Sequence, residues 1–100
     1  GFYRDTKLSP KAPVLGFWVD AYWVEKGDVL TLTFTGPGDR QIGHKSFTLD
    51  KRQARYMRYI GKRKTVDWHA GAYKGVAVLE RKAKDGATQT FRIERTMEIE

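Results

Sequence analysis

Few side chains in this sequence are of a type that could do chemistry. There are two histidines, His44 and His69, two serines, Ser9 and Ser46, and no cysteine at all. The histidines stand far apart and outside any HxH, HxxxD or HExxH pattern, so two or three metal ligands cannot be assembled around either of them. Ser46 lies two residues from His44, which puts both on one face of a strand, but no orienting acid or nucleophile-elbow glycine accompanies them. A polar strand face is the simpler reading. The aspartates at 20, 28, 39, 50, 67 and 85 fall mostly at turns, where Asp bonds its own backbone. Without cysteine there is no disulfide, no thiol nucleophile and no thiolate metal site. The residues point away from an enzyme and imply no cofactor and no metal.

Two stretches resist that plain reading. "WHAGAYKG", residues 68–75, packs a Trp, a His and a Tyr between glycines. The segment 51–64 holds Lys51, Arg52, Arg55, Arg58, Lys62, Arg63 and Lys64 with no acid, while the rest of the chain balances 12 basic against 12 acidic residues. The net charge of +7 is therefore local. Arg52, Arg55, Arg58, Lys62, Arg63 and Lys64 are the candidate contact for an anionic ligand or partner; their alternative role is to keep a solvated edge strand from pairing with other chains. The aromatics Phe17, Trp18, Tyr22 and Trp23 form either a sugar-stacking platform or core, and two faces of aromatics on a first strand favour core.

The elements that must position these residues are strands. In "VLTLTFTG" Leu30, Leu32 and Phe34 alternate with Thr31, Thr33 and Thr35, the period of a half-buried strand. The preceding "VLGFWVDAYWVEKGD" ends at Gly27-Asp28, which predicts a hairpin with it. Further strands are expected in "QIGHKSFTL" and in "ARYMRYIG" after a short turn at Asp50–Ala54. A terminal hairpin is expected around Asp85-Gly86, with Phe91, Ile93, Met97 and Ile99 on one face of its second strand. One hundred residues with 40% apolar and 13% aromatic content make one compact domain. The expected fold is all-β, an antiparallel immunoglobulin- or fibronectin-like sandwich of about seven strands over residues 14–100, with 1–13 a linker or irregular edge. In that fold Tyr73 bonds back to the preceding loop from the start of the penultimate strand, with Gly71 before it and Trp68 over the end of the core. Trp68, Gly71 and Tyr73 form a structural corner.

No run approaches the roughly 20 apolar residues of a membrane-spanning helix. The absence of an initiating Met suggests a piece of a longer polypeptide.

"GDVLTLTFTGP", the Gln-Ala-Arg-Tyr to Gly-Lys-Arg run at 53–63 and the Trp-x-x-Gly-x-Tyr-x-Gly corner at 68–75 together resemble a known domain. It is the immunoglobulin-like accessory domain of bacterial lysostaphin-like (LytM-type) zinc endopeptidases that cleave peptidoglycan, and the likeness runs from about Pro13 to Gly86. Ala70 stands where that group often has proline, and the HxxxD and HxH zinc motifs have no counterpart. The resemblance implies a non-catalytic module in the periplasm or cell envelope, monomeric when isolated. Its partner would be the neighbouring catalytic domain of the same chain or an anionic envelope polymer. A nucleic-acid-binding module using residues 51–64 is the alternative.

Overall fold

The computed structural model describes residues 7, 8 and 10–99. Two sheets, antiparallel but for one short edge strand, face each other. The larger has the order β1(Lys7–Leu8), β7(Thr88–Ile99), β6(Gly71–Lys82), β3(Val29–Gly36), β4(Arg40–Thr48), and the smaller pairs β2(Val14–Val24) with β5(Gln53–Arg63). This is the all-β sandwich expected, with six long strands and a two-residue β1 that joins β7 in parallel. The pairing of β2 with β5 against a sheet centred on β3, β6 and β7 is the immunoglobulin-type arrangement.

Leu30, Leu32 and Phe34 of β3 are buried, and across the sandwich they meet Leu15, Phe17 and Val19 of β2 and Tyr56 and Ile60 of β5. Close approach depends on one residue, Gly75, because a Cβ there would run into the Phe17 ring. Beneath the core, the outer face of β3 and β4 is polar. Thr33 Oγ1 lies 3.1 Å from His44 Nδ1, and Thr31 Oγ1 2.9 Å from Ser46 Oγ. His44 and Ser46 do share a face, and their partners there are threonines.

The expected β2–β3 hairpin does not form. β2 pairs only with β5, and β3 with β4 and β6. Each strand has a fully apolar face, and these faces bury one another only if the strands lie in opposite sheets, so the turn at Glu25–Asp28 carries the chain across the sandwich. It is closed by Asp28 N–H donating to Glu25 O and by Glu25 N–H donating to the Asp28 carboxylate at 2.9 Å, while Gly27 N–H and Asp28 O bond Leu49. The other turns follow expectation. Bends at Asp50 and Lys51 lead into β5, and Ala83, Gly86 and Ala87 close the terminal hairpin.

The segment expected as a linker or irregular edge falls outside the described residues at 1–6 and 9. Residues 10–13 are tied down: Pro10 O accepts from Trp68 N–H, Ala12 O from the Trp68 indole, and Pro13 O from Lys64 N–H.

The two sheets differ in width. Two strands cannot cover five, so the inner face of β7 lies partly bare, and Phe91 and Ile93 are half exposed although they sit on the expected face.

Candidate binding site

Residues 68–75 lead into β6 and form its start. Tyr73 is buried at the start of β6 and its hydroxyl donates to His69 O at 2.7 Å. Burial pushes the Tyr73 phenol above its ordinary pKa, and the nearby Arg40 charge only partly opposes this. Trp68 meets the Tyr73 ring edge-on at 6.3 Å. Gly71 has φ 134°, a backbone region closed to other residues, and a Cβ on it would strike Pro37.

The basic stretch does not act as one patch. Strand alternation sends its side chains to opposite faces, and acids from other elements meet several of them. Arg55 grips Asp20 through two bonds of 2.9 and 3.0 Å. Arg52 lies 3.5 Å from Glu25, and Lys64 3.2 Å from Asp67. Arg58 turns inward, with its guanidinium 4.0 Å from the Tyr56 ring centre and 5.4 Å from that of Phe47. Lys62 and Arg63 have no acid partner among the described residues.

Those two do not stand alone. At the end of the sandwich they line a cleft of about 240 Å³ together with Arg40 of β4, His69 and Tyr73. Among the described residues only one acid, Asp67, lines it, and hydrogen bonds from Lys64 and Lys11 hold its carboxyl below the usual range. Three cations from two strands, Arg40, Lys62 and Arg63, thus converge beside an acid that is already neutralised. Arg40 is not legible as part of this group, because it follows Asp39 in a sequence stretch that reads as a charge-balanced turn, far along the chain from 62 and 63.

The aromatic residues correct the sequence reading. Phe17 is core, but Trp18 is 54% exposed, Tyr22 61% and Trp23 71%. β2 shows only one face to the core, so Trp18 and Tyr22 point outward. There they join Tyr59 and Met57 of β5, with Trp18 directly opposite Tyr59 and Tyr22 opposite Arg55. Trp23 has φ 56°, rare for a bulky side chain, and this twist is what flips Val24 back into the core. Arg81 donates to Trp23 O at 3.3 Å and so helps hold the twist. Between Tyr22, Trp23, Leu79, Phe91 and Ile93 opens a mostly apolar groove of about 330 Å³ along the free edge of β2.

Among the described residues, no three His, Asp or Glu side chains gather in a way that would hold a metal ion, and no helix is long and apolar enough to cross a membrane. No protein-family model matches this chain, and no curated protein or solved structure does either.

Proposed function

We propose that this is a non-catalytic immunoglobulin-like module of a cell-envelope peptidoglycan hydrolase, which positions or regulates a neighbouring zinc endopeptidase domain by binding an anionic partner at its basic end. The observation that carries this reading is the convergence of Arg40, Lys62 and Arg63 on one cleft. Uncompensated cations at a concave end attract carboxylates or phosphates. The likeness of the 13–86 segment to accessory domains of LytM-type endopeptidases supports the envelope context. Nucleic acid fits less well, because phosphate binding draws on a row of free cations. Most of the 51–64 stretch is instead paired to acids or packed on rings.

Replacing Arg40, Lys62 and Arg63 together with Gln tests the proposal by cosedimentation with purified sacculi. The parent chain is expected to bind at low salt and to release as salt rises, and the triple variant to lose most of that binding. Equal, salt-insensitive binding by both would remove the basic end from the function. Release of soluble fragments from sacculi by the chain itself, with zinc added, would overturn the non-enzymatic reading.

A further inference from the structure

The outer face of the β2–β5 sheet carries aromatic rings that the fold does not need. Trp18, Tyr22 and Tyr59, with Met57 beside them, are each about half exposed or more and lie on one continuous face. Folding alone favours burying such side chains or replacing them by polar ones, since each keeps about half of a large apolar surface in water.

Their arrangement is also built. Gly16 and Gly61 stand directly opposite one another in the ladder, an unfavourable pair for a sheet. A Cβ on either would collide with the hydroxyl end of Tyr59. The two glycines form a shelf on which the Tyr59 ring lies along the sheet, with its opposite side turned outward next to Trp18. Four residues further along β2, roughly 13 Å away, Tyr22 supplies another ring. Between them the Asp20–Arg55 pair offers fixed hydrogen-bond acceptors and donors at the centre of the face.

We propose that this face binds a linear polysaccharide, with pyranose rings stacked on Trp18, Tyr59 and Tyr22 and hydroxyl or amide groups bonded to Asp20 and Arg55. Charge favours a sugar chain over a single-stranded nucleic acid. The Asp20–Arg55 pair is neutral as a unit, so the centre of the platform lacks the free cations a phosphate backbone requires. Arg63, on the same face at the Val14 end, and Lys62 lead from the platform into the basic cleft. A polysaccharide bearing carboxylates therefore complements the whole path. This rests on the reading of the domain as a binder of envelope polymers, but it uses a different face and different forces.

The test is titration of the isotopically labelled chain with a neutral N-acetylglucosamine hexamer, with polygalacturonate and with an oligothymidylate, read at the three indole N–H signals, Trp18 being assigned through Trp18→Phe. The hexamer is expected to shift the Trp18 signal at low and high salt alike, and polygalacturonate to bind more tightly at low salt only. Trp18→Ala is expected to weaken hexamer binding about tenfold or more, and Gly61→Ala, which lifts the Tyr59 ring without removing it, several-fold. Lys62→Gln with Arg63→Gln should remove the advantage of polygalacturonate and leave the hexamer unaffected. If the hexamer binds while sacculi binding does not depend on Arg40, Lys62 and Arg63, the platform stands and the basic-end proposal falls; the converse result separates them the other way. An unmoved Trp18 signal with both saccharides overturns the proposal. So does oligothymidylate binding in their place, or a dimer in sedimentation that Trp18→Ala abolishes, which would make this face a contact between copies.

Discussion

Arg81 reaches from the end of β6 to the Asp28 carboxylate in the turn after β2, with its Nη2 2.8 Å and its Nε 3.0 Å from the two oxygens. Asp28 is only 1% exposed, and this pair fastens the crossing between the sheets. Removing one partner of a buried pair strands the other, so Asp28→Ala should destabilise the domain by about 3 kcal/mol, toward the low end for such pairs because Arg81 is still partly solvated. Denaturant unfolding at neutral pH measures it.

The same pair sets an acid response. Burial pushes the Asp28 carboxyl up, but hydrogen bonds from Arg81 and Glu25 N–H, with the Arg81 charge, outweigh that and hold it below its ordinary value. A carboxyl lowered in the folded state stabilises fully above its unfolded pKa of about 3.9, and that contribution is lost as pH falls through the lower folded value. Stability from pH 6 to pH 2 should therefore fall less steeply in Asp28→Asn than in the parent, a comparison that chemical unfolding at stepped pH provides.

Tyr73→Phe leaves His69 O without its donor in a partly buried corner and should cost about 1–3 kcal/mol. Trp68→Ala loses the contact with Tyr73 and the indole bond to Ala12 O. Because Trp68 is only half buried, the loss should be about 2 kcal/mol, below that of a fully packed Trp. Both residues also line the basic cleft, but the variants keep Arg40, Lys62 and Arg63, so salt-sensitive binding to sacculi should be weakened at most a few-fold in the folded protein. Lost binding with an unchanged thermal midpoint would make the corner a ligand site.

Gly75→Ala places a methyl group against the buried Phe17 ring, which has no room to retreat, and should cost about 2–3 kcal/mol. Trp23→Gly runs the other way. It removes an exposed ring and relieves a left-handed backbone that disfavours any side chain with a Cβ, so stability should hold or rise by up to about 1 kcal/mol. Thermal midpoints of the two variants side by side test both.

Much of the fold could be read in the residues. The Thr-alternating β3, the hairpin at Asp85-Gly86 and the tyrosine at the head of β6 each carry a local signal of period or turn. What escaped depends on distant partners. Gly27-Asp28 signals a turn whether the next strand joins the same sheet or the opposite one, and the choice rests on apolar faces that meet only in the folded core and on Arg81, far along the chain. The basic stretch looked like a patch because it is contiguous in sequence, yet Asp20, Glu25 and Asp67 neutralise much of it from elsewhere. Trp18 and Tyr22 read as core because aromatics usually are, and apolar side chains on both faces of β2 do not reveal which face meets the opposite sheet.

The strand order also sets a schedule. Val14 pairs with Arg63 and Val29 with Glu80, so few ladders join neighbours in sequence, and a sandwich of this kind folds in about milliseconds to seconds. On a growing chain β3 finds β4 at once, but its second edge waits for β6, made two strands later. Until then Leu30, Leu32 and Phe34 lie on a half-built sheet open to pairing with another molecule. The strand made in that interval is β5, which carries Arg55, Arg58, Lys62 and Arg63. Like charges held beside an unfinished apolar sheet would oppose pairing between copies until the acids of the finished fold close over several of them.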